Sequence, residues 1–244
     1  MLDTRIVKVK VVGAFACFTR PDLKVERMTY PCMTPSAARG ILDSILWKPE
    51  FQWYVRRIQI LKPVRFFTIK RNEINTKQGQ HPILIEEKRA QRNSVVLKDV
   101  AYIIEASIYQ EQVSGKNKPE KYIGTSTGKE GMFHRRINKG QCWRRPYLGV
   151  REFSADIMKP DGTEQPIQET IPIGSMLFDI FYGTNGKPEP LFFHDAVVRN
   201  GVLNCEVPEN DKMLQSSHFR PPMDSETSAV LYEFNQREEE EAAL

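Results

Sequence analysis

Asp99-Val100-Ala101-Tyr102-Ile103-Ile104-Glu105-Ala106-Ser107-Ile108-Tyr109 is the most strand-like run in the 244-residue chain. β-branched and aromatic residues dominate it, and only Asp99 and Glu105 carry charge. Such a composition marks a strand, the clearest in the chain. Towards the N-terminus, Val7, Val9 and Val11 alternate with Lys8 and Lys10, the period of a strand with one buried face. Thr34-Pro35-Ser36 then reads as a helix start, with Thr as cap and Pro at the first helical position. Ala38, Ile41, Leu42 and Ile45 continue it at spacings of three and four, and Lys48-Pro49 is expected to stop it. Trp53 to Leu61, aromatic and β-branched, is a second strand, which completes a β-α-β unit.

The pattern recurs from Asp99 onward. After that strand, Met132, Phe133, Arg136 and Ile137 fall at helical spacing, Gly140 is placed as a helix stop, and Tyr147 to Ile157 reads as a further strand. Two such units in tandem give β-α-β-β-α-β, and the fold class expected is α+β, ferredoxin-like, of the type RNA-recognition domains share. Residues 1–158 form this domain, and 63–97 are expected as a long basic insertion with little periodicity. Beyond Pro160-Asp161-Gly162, residues 159–225 read as a β-rich extension. It has strands at Ser175–Phe181, Leu191–Val198 and Val202–Val207, with an Asn200-Gly201 hairpin turn. Residues 226–244 form an acidic tail containing Glu238 to Glu241.

The formal net charge of +4 conceals a strong asymmetry. Residues 56–145 carry 20 basic and 8 acidic side chains, whereas residues 146–225 carry 6 and 12. The basic middle interleaves its cations with Phe66, Phe67, Phe133, Trp143 and Tyr147. Cations that neutralise phosphates and aromatic faces that stack on unpaired bases are the chemistry of single-stranded nucleic-acid binding. No run approaches the roughly 20 apolar residues of a membrane span, and Lys8 and Lys10 interrupt the first apolar stretch, so neither a membrane partner nor a signal peptide is expected. Cys17, Cys32, Cys142 and Cys205 are far apart and are read as reduced thiols in the cytoplasm. No His or Cys spacing suits a metal, and the phosphate-loop, dinucleotide and esterase motifs are absent, so no metal and no cofactor is expected.

Two constellations stand out beside the charge. Phe18 to Tyr30 is a connection bearing Arg20, Lys24 and Arg27, placed where a polynucleotide end would be gripped at the mouth of the sheet. Lys129 to Arg136 holds Lys129 and His134, which with Tyr122 have the residue types for RNA cleavage without metal. One group must take the 2′-hydroxyl proton, another must protonate the leaving oxygen, and the neighbouring Arg135 and Arg136 would balance phosphorane charge.

Several ordered blocks resemble a known family. They are Ala16-Cys17-Phe18-Thr19-Arg20-Pro21, Lys24-Val25-Glu26-Arg27, Pro35 to Leu42 (Pro-Ser-Ala-Ala-Arg-Gly-Ile-Leu), Trp47-Lys48-Pro49, Arg71-Asn72-Glu73, Phe133-His134-Arg135-Arg136, Gly140-Gln141-Cys142 and Tyr147 to Phe153. Together, over roughly residues 5–205, they resemble the Cas5 family of CRISPR proteins, in the Dvulg subtype of type I-C systems. The resemblance implies a RAMP-superfamily ferredoxin-like domain with a β-rich extension. It implies a protein that cuts the repeat of the CRISPR precursor transcript without metal and then stays on the 5′ handle of the guide RNA (crRNA) in the surveillance complex. Implied partners are the repeat RNA, the Cas7 backbone subunit, the Cas8 large subunit and, through the complex, target DNA. RNA contacts are expected at Arg20, Lys24, Arg27, Arg39, Trp47, Lys48, Arg71, Arg135, Arg136, Arg144, Arg145 and Arg151. Two positions depart from the family pattern. Leu46 stands where the family has tyrosine before Trp-Lys-Pro, and the family's Lys-His before the second helix falls on Gly128-Lys129 or on Lys129-Glu130. Either Lys129 with His134 or Tyr122 performs the cleavage, or the chain is a non-catalytic capping and assembly subunit of the same complex.

Overall fold

The computed structural model describes residues 5–49, 51–77, 79, 81–109, 120–124, 130–182 and 188–207. The run from which the reading began lies in the longest strand. Strand β4 (Arg89–Tyr109) carries β1 (Val7–Ala16) on one side and β2 (Gln52–Ile60) on the other, both antiparallel. Its central position explains its composition, because residues 100–108 are buried on both faces. Among the described residues, eight strands join one mixed-α/β architecture with few helices. The sheet order is β5 (Asp156–Met158), β1, β4, β2, β8 (Val202–Asn204), β7 (Pro188–Arg199), β6 (Ile171–Tyr182). Strand β3 (Phe66–Ile74) stands off this path and pairs with the first half of β4.

Helix α1 (Pro35–Ile45) follows β1 and helix α4 (Met132–Lys139) follows β4; the short helices α2 (Ile85–Lys88) and α3 (Glu120–Ile123) lie between them. Val7, Val9 and Val11 join the core with Ile41, Leu42, Ile45, Phe133 and Ile137, so the alternation of β1 and the stripes of the two helices meet on one face. On the other face Lys8 pairs with Glu105 at 2.7 Å and Lys10 with Glu164 at 3.0 Å. The Thr34 side chain accepts a hydrogen bond from the Ala37 amide and caps α1 as expected. Gly140, left-handed at φ +65°, ends α4. Asn200 and Gly201, at φ +48° and +73°, make the tight turn between β7 and β8.

Three expectations need correction. Helix α1 ends at Ile45, not at Lys48-Pro49; Leu46 is already extended (φ −145°) and its carbonyl accepts from the Trp53 indole at 2.8 Å. Residues 147–157 form no long strand. The loop closes on itself through Leu148 N–H to Phe153 O (2.7 Å) and Ala155 N–H to Pro146 O (2.9 Å), leaving only β5 to pair with β1. The basic stretch 63–97 is regular, not aperiodic. It forms a β3–β4 hairpin arm in which Phe66, Thr68, Lys70 and Asn72 are exposed and Ile69, Arg71 and Glu73 are half-buried. Asp99, at φ +54°, and the Lys62 ammonium 2.6 Å from its carboxylate mark the junction of arm and core. Strand β8 pairs with β2, so the sheet runs from the N-terminal strands into those beyond Pro160 without a break. Val207 is the last described residue, so the acidic tail lies outside the described residues. None of the described helices is long and apolar enough to cross a membrane.

Candidate nucleic-acid interface

A cavity of about 300 Å³ opens beside the N-terminal half of α1. Ser36, Gly40 and Ser44, spaced by four, with Ala37, give that wall a surface of small side chains. The facing wall is the loop after α4, with Arg144, Pro146, Tyr147, Gly149 and Val150; Phe18, Thr19, Arg27, Thr34 and Leu177 complete the lining. The loop approaches β1 so closely that a Cβ at Gly149 would lie 2.1 Å from the Cys17 carbonyl oxygen, and Gly149 is left-handed at φ +86°. Only glycine fits both demands. The Cys17 amide donates to Leu148 O at 3.0 Å, which locks the loop in place. The Arg144 guanidinium lies over the Trp143 ring at 4.9 Å, and Trp143 is itself pinned by its indole N–H to Asp43 O at 2.7 Å. Two arginines, hydroxyl groups and a tyrosine around such a volume can hold one nucleotide, its phosphate on a guanidinium; the space is at the small end for ligand sites.

Of the residues expected to touch RNA, Arg27 and Arg144 line this cavity. Arg20 forms an ion pair with Asp22 at 3.0 Å and lies 5.7 Å from the Tyr30 ring centre, and Arg20 holds the exposed Asp22 carboxyl below its usual range. Lys24 is exposed in the same connection, Arg151 is exposed in the loop after α4, and Arg145 pairs with Asp156 at 2.9 Å on the open surface. Trp47 and Lys48 are half-buried just after α1. Arg71 stands on the arm, paired with Glu73 at 2.7 Å and Glu152 at 3.1 Å. Arg135 donates to the Glu130 carbonyl at 2.9 Å.

Two expected RNA contacts are instead committed to the fold. Arg136 is fully buried and donates to Ile45 O at 2.7 Å, satisfying a carbonyl at the C-terminal end of α1. Arg39 is turned to β6, where it pairs with the buried Asp179 at 2.6 Å; burial raises the Asp179 carboxyl despite the arginine.

The cleavage candidates are not brought together at the cavity. His134 is half-buried in the first turn of α4, and burial lowers its pKa below 6.5, against the opposing pull of Glu130. Its imidazole is neutral at pH 7 and able to accept a proton. Tyr122 is a core residue with its ring 4.8 Å from that of Phe51, so a substrate has no path to it. Lys129 lies outside the described residues. Leu46 is fully buried. Among the described residues no three His, Cys, Asp or Glu side chains gather as a metal site requires. Sequence reasoning missed Ser36, Gly40 and Gly149 as wall-forming positions. The i, i+4 spacing of small residues on α1 was the available signal.

Residues 6–172 match the model of the family described as CRISPR-associated protein (Cas5). The chain is 44% identical over 219 residues to the CRISPR pre-crRNA endoribonuclease Cas5d of Thermus thermophilus, covering 83% of this chain and 91% of that one. It is 37% identical over 219 residues to the protein of the same name from Mannheimia succiniciproducens, covering 81% and 93%. A crystal structure of a CRISPR-associated protein shares the fold, with a TM-score of 0.58 at 22% identity over 84% of this chain and 94% of the other.

Proposed function

Since the chain belongs to the CRISPR-associated Cas5 family, we propose that it cleaves the CRISPR precursor transcript and keeps hold of the guide RNA's 5′ handle. The observation that carries the RNA-holding half is the cavity, where Arg27 and Arg144 flank a volume sized for a single nucleotide. The name of the two relatives, pre-crRNA endoribonuclease, supports the cleaving half. Strand order β5-β1-β4-β2, with α1 and α4 as the crossovers, supports reading the N-terminal part as ferredoxin-like. The Cas7 and Cas8 subunits as protein neighbours, and target DNA reached through the complex, belong to the same proposal.

Cleavage proceeds by attack of a 2′-oxygen on the adjacent phosphorus. Neutral His134 takes the hydroxyl proton, Lys129 supplies a proton to the departing 5′-oxygen, and the Arg135 guanidinium faces the phosphorane charge. The products are a cyclic phosphate and a free 5′-hydroxyl, with no metal in the step. Purified protein and repeat RNA in EDTA test this. Wild type should cut, and His134→Ala should slow the single-turnover rate by about 100-fold or more, the usual contribution of one general base. Equal rates for the two proteins remove His134 from the chemistry.

The apolar, buried Leu46 favours a second reading, a subunit that caps the handle without cutting. Absence of cleavage by wild type with binding retained selects it.

A further inference from the structure

The arm carries an arginine cluster that its own carboxylates do not neutralise. On β3, Arg71 is the direct cross-strand partner of Arg92 on β4, a like-charge pairing that destabilises a sheet by itself. Glu73, two residues further along the same face, bridges them. Its carboxylate lies 2.7 Å from Arg71 Nη2 and 3.4 Å from Arg92 Nε. A third guanidinium, Arg27, reaches the same carboxylate at 3.5 Å, held there because the Val95 amide donates to Arg27 O at 2.8 Å. Glu152, from the loop after α4, takes Arg71 Nη1 at 3.1 Å. Three guanidiniums face two carboxylates, which leaves one positive charge in excess. The Arg71 Nε is buried without a hydrogen-bond partner, and the Arg27 Nε has only the long 3.5 Å approach to Glu73, so the cluster's N–H donors are not all filled.

Arg27 belongs to this cluster and to the cavity wall at once. Excess charge and incompletely filled N–H donors therefore adjoin the volume assigned to a nucleotide. An anion with several acceptor oxygens satisfies both, and a strand leaving the cavity brings one in its next phosphodiester.

We propose that the Arg27–Arg71–Arg92 cluster is a second anion site, which takes a backbone phosphate of single-stranded RNA, and that Glu73 holds the phosphate's place when RNA is absent. The proposal rests on the RNA-holding function proposed above. In this arrangement Glu73 keeps the three arginines ordered and limits their attraction for any passing polyanion, so it trades affinity for selectivity.

The test measures binding of fluorescein-labelled oligouridylate between about 50 and 200 mM salt. Glu73→Gln leaves three guanidiniums against one carboxylate. It should bind several-fold more tightly at low salt and steepen the slope of log K against log salt by about 0.7, the value for one single-strand phosphate. Glu152→Gln, which removes a carboxylate exposed to solvent, should change the slope in the same direction and decides the matter if Glu73→Gln fails to fold. A Glu73 with only a structural task gives a lower melting temperature and an unchanged or shallower slope in both variants; that result overturns the proposal. Arg144→Ala separates the two readings, because Arg144 lies in the cavity and outside the cluster. Unchanged binding by Arg144→Ala with a steeper slope for Glu73→Gln removes the cavity reading and leaves the cluster standing. Absence of salt-dependent binding by wild type removes both.

Discussion

Arg136 ties α4 to the C-terminal end of α1 from inside the core, a cation set against the carbonyl end of a helix dipole. Arg136→Ala leaves that carbonyl without its donor and opens a cavity. It should cost about 3 kcal/mol in denaturant unfolding, while the fraction that stays folded binds RNA as wild type does. His134 gives a pH signature. Burial depresses its folded pKa below 6.5, so the unfolded chain takes up this proton first as pH falls. Its contribution to stability is complete above about pH 6.5 and is lost as pH drops from there through the folded pKa. Melting temperatures should decline on the acid side, and His134→Gln should flatten that part of the profile. Arg136 was legible in one way and misleading in another. The helical stripe Met132, Phe133, Arg136, Ile137 placed it inside, whereas local charge density placed it with the RNA contacts. Periodicity prevailed because a helix face turns all its members inward together, whatever their charge.

At the scale of elements, the α1 cap and the loop after α4 make the cavity. Thr34→Ala removes the acceptor for the Ala37 amide and should cost about 1 kcal/mol, measured by thermal or denaturant unfolding. Gly149→Ala places a methyl against the Cys17 carbonyl and forces a left-handed alanine, so the loop must withdraw from β1. RNA affinity should fall together with stability, in contrast to Thr34→Ala, where stability falls more. Strand and helix identities were readable because period-two and stripe patterns report directly on burial. The arm was not read as regular because its exposed face mixes Phe66 and Lys70 and its inward face is polar, Arg71 and Glu73, so no apolar alternation marks it. Residues 147–157 misled in the opposite sense, since strand-like composition there serves a closed loop whose deciding residue is Gly149.

For the whole molecule, the continuous sheet matters more than the division into domain and extension. Strand β8 covers the edge of β2 and brings Leu203 and Cys205 into the core beside Ile58 and Ile60. A chain ending at Lys159 therefore exposes a strand edge and an apolar strip. It should be recovered as aggregate, while the full chain stays in the soluble fraction, as size-exclusion chromatography would show. The cavity was not foreseeable from any one segment, because its lining comes from β6, α1, the loop after α4 and the connection after β1.

Strand β4 runs unbroken from the arm into the centre of the sheet, with Asp99 at the junction. Arm and core are thus two arms of one lever with an elbow a single residue wide. A left-handed backbone at that elbow, clasped by Lys62, sets the direction in which the arm points. The β1 ladder spans that elbow, Gly13 opposite Val100 on one side and Phe15 and Ala16 opposite Lys98 and Leu97 on the other, so no hinge is free there. Turning that one torsion would break rungs before it moved the arm, and the arm's heading is cast once, in the fold, at Asp99.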